Sequence, residues 1–201
     1  MSVKVVTGDG DSLPSPTATD IVSLADLKEH CRIDGTDDDT LVTALLGVAI
    51  AMVESKTQRS LLPKTYEWTT ASLVNGMRIP LAPVVQVRSI KYLTFPYGPQ
   101  TTLATSDYIV APNGQGYAIC KPYYLRWPWI GQGPNPVLVR FDAGDALLIS
   151  DGAKHAIKMI VADLFEYRTP NVLSSGSFQT HKLSDGVLST VDALLLPDQW
   201  Q

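Results

Sequence analysis

Side chains that could carry chemistry are sparse in this sequence, and they do not converge. His30, His155 and His181 lie far apart, and none is followed by a second histidine four positions on, the spacing that sets two ligands on one helical face. They read as surface or capping groups. The run Asp34-Gly35-Thr36-Asp37-Asp38-Asp39 has the carboxylates of a calcium loop. An EF-hand needs Gly at its sixth position and Glu at its twelfth. Counted from Asp34 those positions hold Asp39 and Leu45, so the run reads as a helix-capping turn. Thr7 to Ser12 alternates two acids with glycines but lacks the rest of a ligand set. Cys31 and Cys120 form no C-x-x-C pair and read as reduced, buried small hydrophobes. No G-x-S-x-G, P-loop or G-x-G-x-x-G occurs, and nothing points to a Ser/His/Asp triad. The aromatic cluster Tyr117, Tyr123, Tyr124, Trp127 and Trp129 could stack on bases or sugars. With Pro122, Pro128 and Gly131 around it, it reads first as the brace of an irregular loop or an interface. The expectation is no catalytic residue, no cofactor and no metal.

The elements that would hold these residues begin with two helices joined by an acidic turn. Ser23 and Asp26 have capping-box spacing, and so do Thr36 and Asp39, with acid at the positive end of the helix that follows. In that long helix Leu41, Ala44, Leu45, Val48, Ala49, Met52 and Val53 recur on one face. Val42, Leu46 and Ile50 form a second stripe beside it. Two stripes exceed what a surface helix of a monomer usually buries. One reading is a central helix buried wholly by its own chain; the other is a helix that also packs on a neighbouring subunit, with Leu41, Leu45, Val48 and Met52 in the subunit's own core and Val42, Leu46 and Ile50 in the contact. From Lys64 the period changes to two. Strands are expected around Tyr66–Thr70, Met77–Ile79, Val84–Thr94, Asp107–Val110, Tyr117–Cys120 and Val137–Asp142, with a hairpin turn at Asn113–Gly116. Helix returns at Asp151, read as an N-cap, with Ala153, Ala156, Ile157, Ile160, Val161, Leu164 and Phe165 on one face. A last short helix spans about Val187–Leu196.

Strands in one block between helices argue an α+β fold with an antiparallel sheet. The segments are a flexible arm or extended strap over 1–20, in which Val3, Val5 and Val6 could add one short strand, a helical hairpin over 21–62 and a β-rich insert over 63–144. A bundle helix follows over 145–168, then a mobile linker and the short C-terminal helix over 169–201. The 201 residues carry a net charge of −4, and the first forty hold nine acidic against three basic residues. No basic stripe suggests nucleic-acid binding. No unbroken apolar run is long enough for a membrane span, and no membrane is expected. The start MSVKVVTGDGDS lacks the apolar core of a signal peptide.

The order of motifs carries a resemblance. Ser23, Leu24, Lys28, His30, Arg32, Ile33 and Asp34 come first, then the acidic run and the apolar helix. Val53, Glu54, Thr57, Arg59 and Leu61 follow. Trp127-Pro128, the strand Val137–Gly144 and the terminal segment Gly186–Pro197 complete the series. This resembles the head–tail connector (adaptor) proteins of long-tailed phages and gene transfer agents. Thr57-Gln58-Arg59 departs from the T-G-R often found there, and 169–183 does not align. The resemblance implies a structural protein without enzymatic activity. It further implies a homo-oligomeric ring, of about twelve subunits in this family, in the virion neck, made in the host bacterial cytoplasm. Its partners would be the portal protein and a stopper or tail-completion protein, with DNA passing through unbound. Asp37, Asp38 and Asp39 are then candidates for the channel lining. Leu188, Val191, Leu194 and Leu195 are candidates for a portal contact, with docking on the chain's own helices as the other possibility. The reading from another class is a carbohydrate- or peptide-binding module that uses Tyr117–Trp129.

Overall fold

A computed structural model describes residues 2–6, 13, 17–96, 98–114, 116–145, 149–166 and 183–198. These fall into two compact units. Described residues within 17–57 and 149–198 form a helical unit, and those within 2–13 and 58–145 form a β unit. Residues 58–62, expected in the hairpin, therefore belong with the strands.

In the helical unit a 3-10 turn, Ala18–Asp20, precedes α1, Leu24–Cys31. Ser23 caps α1, its Oγ accepting from Asp26 N at 3.1 Å. The helix stops because Arg32 turns left-handed, φ 54°, and Ile33 N donates back to Lys28 O at 2.9 Å. α2 is Asp39–Thr57. α3, Asp151–Glu166, is capped by Ser150, whose Oγ accepts from Ala153 N at 3.0 Å. The expected cap, Asp151, is the first helical residue instead, where its charge suits the helix dipole. α4 is Asp185–Leu195, followed by a 3-10 turn, Leu196–Asp198. α3 packs against α1, α2 and α4 through Ala153, Ala156, Ile157, Ile160 and Val161, all buried. Asp163 is buried on α3 too, and Ser184 Oγ donates to it at 3.0 Å, tying the start of α4 to that helix. Lys56 of α2 pairs with Asp192 of α4 at 2.6 Å.

In the β unit, Ser2–Val6 (β1), Lys64–Thr70 (β2), Val84–Leu93 (β4), Gln100–Thr102 (β5) and Val137–Ala143 (β8) make one antiparallel sheet. Its order is β1-β2-β8-β4-β5. Met77–Arg78 (β3), Ile109–Asn113 (β6) and Gly116–Cys120 (β7) make a second, ordered β3-β7-β6. The antiparallel insert is as the alternation predicts. β5 lacks an apolar alternation and escapes a sequence reading. Ser2–Val6 is a sheet edge, the short strand that Val3, Val5 and Val6 allow, whereas Ala18–Asp20 is a helical turn where no helix is expected from the sequence. The linker expected over 169–183 lies, apart from Leu183, outside the described residues.

Strand register explains the core. On β8 the side chains of Val137, Val139, Phe141 and Ala143 alternate onto one face and are fully buried. Register brings Trp68 and Ile90 beside Val139, and Tyr66 beside Phe141, where the rings stack at 5.7 Å. Ile79 and Ile119 join the same core from the smaller sheet's side. Gly144 ends β8 with φ 107°, and a Cβ there would stand 2.1 Å from Leu62 O, so this close approach requires glycine. The other face of β8 presents Leu138, Arg140 and Asp142. Register sets Lys4, Glu67 and Arg140 in one row, and Lys4 Nζ meets Glu67 Oε2 at 2.7 Å.

Candidate assembly surfaces

The long helix places its two stripes the opposite way to the sequence assignment. Val42 and Leu46 are 0% exposed and Ile50 3%, with Ala49 and Val53 also buried. They face the subunit's own interior, where α2 packs on α3. Leu41 is 37% exposed and Val48 49%, while Leu45 and Met52 are half-buried. Val42, Leu46 and Ile50 therefore belong to the subunit core and not to its surface. Periodicity finds both stripes but cannot say which of them α3 covers. By length and composition α2 is apolar enough to cross a membrane, which counting unbroken apolar runs does not detect, yet 33% of its most apolar window is buried.

The acids at the start of α2 are set by local bonds. Asp37 is exposed, and Asp38 and Asp39 are half-buried. α2 begins at Asp39, two residues later than a Thr36 cap would give, and Asp38 O accepts from Val42 N at 2.9 Å. Lys28 Nζ meets Asp39 Oδ1 at 2.7 Å and also donates to Gly35 O, so α1 and the turn hold this end of α2.

The C-terminal set is split by burial. Val191 and Leu195 are 0% exposed against α3, and Leu188 and Leu194 are half-buried. Val191 and Leu195 are thus buried in the chain's own bundle, the second of the two possibilities for this helix, and are not exposed for a portal contact. An 11-residue helix needs such a buried face to hold together in water. Leu196, in the turn after α4, is the exposed apolar residue there at 64%.

The aromatic cluster also separates. Tyr117 and Trp127 pack against the β core. Tyr123 is 94% exposed, Tyr124 72% and Trp129 65%. Tyr123 and Tyr124 sit at the apex of a turn closed by Leu125 N donating to Pro122 O at 3.1 Å. Lys121 braces it twice, its Nζ donating to Leu125 O at 3.1 Å and its N–H to Asn75 Oδ1 at 3.0 Å. The cluster does not form one concave sugar-stacking platform, because its members face the core and the solvent by turns.

Two groupings were not legible in the sequence. His30 and His155, remote in the chain, meet edge to face at 6.0 Å. Burial, then His155 and Lys158, push the pKa of His30 down. Among the described residues no three His, Cys, Asp or Glu side chains gather as a metal site would require. In the β unit the carboxylate of Asp142, 0% exposed, takes Arg88 Nε on both oxygens at 2.8 Å. It also takes Gln86 Nε2 at 2.6 Å and Thr65 Oγ1 at 2.7 Å. Burial pushes this carboxyl up, but the bonds from Arg88, Gln86 and Thr65 and the Arg88 charge outweigh it and hold it below the usual range. Thr65 Oγ1 in turn accepts from Leu13 N at 3.0 Å, which ties the N-terminal stretch to the sheet. These bonds tie β2, β4 and β8 together at one carboxylate.

Charge divides with the fold. Ranges 17–57 and 146–199 hold fourteen acidic and seven basic residues, a net −7; the rest of the chain holds six and nine, a net +3.

Residues 21–94 match the family model described as "Phage gp6-like head-tail connector protein". No curated protein matches the chain. A chain in the structure described as "Neck of empty GTA particle computed with C6 symmetry" aligns with TM-score 0.71 and 20% identity, over 100% of this chain and 96% of that one. One in "Neck of native GTA particle computed with C12 symmetry" aligns with TM-score 0.70 and 20% identity, again over 100% and 96%. One in "Virion of native gene transfer agent (GTA) particle" gives 0.66 and 19%, over 96% and 95%. At these identities the likeness establishes a common fold.

Proposed function

We infer, from the match of residues 21–94 to the gp6-like head–tail connector family model, that this chain is a structural connector of a phage-like or gene-transfer-agent particle. It joins a DNA-filled head to a tail and acts by shape and contact rather than by catalysis. The domain match carries the reading. The full-length likeness to chains from particle necks supports it, and the symmetries of those necks, C6 and C12, favour a ring of copies. In this reading the ring sits beneath the portal and above a stopper or tail-completion protein, and DNA passes through its centre. Asp37, Asp38 and Asp39 are proposed for the lining. Carboxylates there would let DNA slide, because a passage lined with Lys and Arg would hold it by counterion release. The half-buried leucines of α4, Leu188 and Leu194, together with the exposed Leu196, are proposed for a portal contact.

The test mixes purified chain with the portal of its own particle and follows mass photometry and negative-stain images. The expected result is a ring with a central hole that co-sediments with portal. Removing the gene should leave filled heads without tails. A chain that ignores portal, together with normal tailed particles after removal of the gene, would sink the reading.

A further inference from the structure

We propose, building on the ring reading above, that neighbouring copies join by seating the Tyr123–Tyr124 turn of one β unit on the outward face of α2 in the next copy. A closed ring needs a heterologous contact, one surface meeting a different surface of the next subunit. Two exposed surfaces of this chain suit such a pair.

The first is the outward side of α2. From Thr40 to Val53 the helix has no charged residue. Ala44, Gly47 and Ala51 lie on its solvent side, banked by Leu41 and Val48, which are 37% and 49% exposed. A Cβ added at Gly47 would meet nothing within 4 Å, so the strip is open and low. A helix side that faces water permanently normally carries charge.

The second is the turn itself. Its tyrosines are 94% and 72% exposed, and they stand edge to face at 6.0 Å. The Lys121 brackets and the Leu125–Pro122 bond order the turn before any contact, so docking loses little conformational freedom. Tyrosine combines large contact area with few rotatable bonds and is enriched among the residues that dominate interfaces. Arg126, beside the turn, is exposed as well.

Charge selects which surfaces meet. Two helical units, each net −7, repel one another, whereas a β unit at net +3 is drawn to a neighbour's helical unit. An α2-on-α2 contact would also be isologous and stop at pairs.

The experiment compares full-length wild type with Tyr123→Ser/Tyr124→Ser and with Ala44→Arg, by mass photometry across concentration, with circular dichroism to verify folding. Both variants are expected to fold and to need at least about tenfold more protein to assemble. Copies bearing Tyr124→Cys and copies bearing Ala44→Cys, each in a Cys31→Ser/Cys120→Ser background, are then mixed and oxidised. A cross-linked dimer containing one of each, absent when either is oxidised alone, supports the contact even if a surface variant folds poorly. Wild-type rings with no mixed cross-link, or Ala44→Cys copies that link to each other, overturn this contact and leave the ring standing. A wild type that stays monomeric with and without portal overturns both.

Discussion

Truncating Leu46 to alanine measures which side of α2 the subunit itself covers. Leu46 is 0% exposed, on the α2 face that packs on α3, with Val42, Ala49, Ile50 and Val53 buried around it. Leu46→Ala removes three carbons from a closed site and leaves a cavity that the helices can only partly fill. Such changes cost about 2.7–5 kcal/mol. Val48 is 49% exposed, so Val48→Ala removes less buried surface and should cost under about 1 kcal/mol. With a urea slope of about 1.5 kcal/mol/M, a 3 kcal/mol loss lowers the midpoint by about 2 M. The two units can be read separately. Far-ultraviolet dichroism follows the helices, and Trp68, Trp127 and Trp129 all lie in the β unit, so in a Trp200→Phe background the fluorescence follows the sheets. The dichroism transition should move by the full amount in Leu46→Ala and little in Val48→Ala. Equal costs for the two variants, or a loss under about 1 kcal/mol for Leu46→Ala, would refute the assignment of this stripe to the core.

Two further outcomes follow from burial and charge. The folded carboxyl of Asp142 titrates below its unfolded value, so the stability it contributes is fully present above the unfolded value of about 3.9. That stability is lost as pH falls through the lowered folded value. Asp142→Asn should cost about 3–5 kcal/mol at neutral pH, because the buried carboxylate that takes Arg88 Nε on both oxygens is lost, and should flatten the acid dependence of the fluorescence transition. Parallel acid loss in wild type and variant would remove this account. Val191→Asp puts a charge where exposure is 0% and should destabilise the helical unit by several kcal/mol, on the order of the largest core substitutions; Leu196→Asp, at 64% exposure, should stay within about 0.5 kcal/mol. If Val191→Asp melts like wild type and only loses portal binding, α4 is a releasable tether and its docking on α3 is not what holds it.

Local rules in the sequence determined much of this protein. Ser23 before an apolar turn sets the start of α1, because a hydroxyl can take an orphan amide without help from the rest of the chain. Alternation in Val137–Ala143 and in Lys64–Thr70 sets which side chains share a face of the sheet, since a strand's period is fixed by its backbone. The ordered motifs from Ser23 to Leu61, followed by Trp127-Pro128, Val137–Gly144 and Gly186–Pro197, were enough to suggest a resemblance to the connector family, whose model residues 21–94 match. What the sequence left open were questions about covering. α2 has two adjacent apolar stripes, and only the position of α3 decides that Val42, Leu46 and Ile50 are inside while Leu41 and Val48 look out. Leu188–Leu195 has one apolar face, and only tertiary contact decides that Val191 and Leu195 spend it on the chain's own bundle. Asp142 reads as a solvent-facing strand residue until register brings Thr65 and Gln86 beside it and Arg88 onto both its oxygens. Periodicity is a property of one segment, whereas burial depends on a second segment arriving, and that partner can lie more than a hundred residues away.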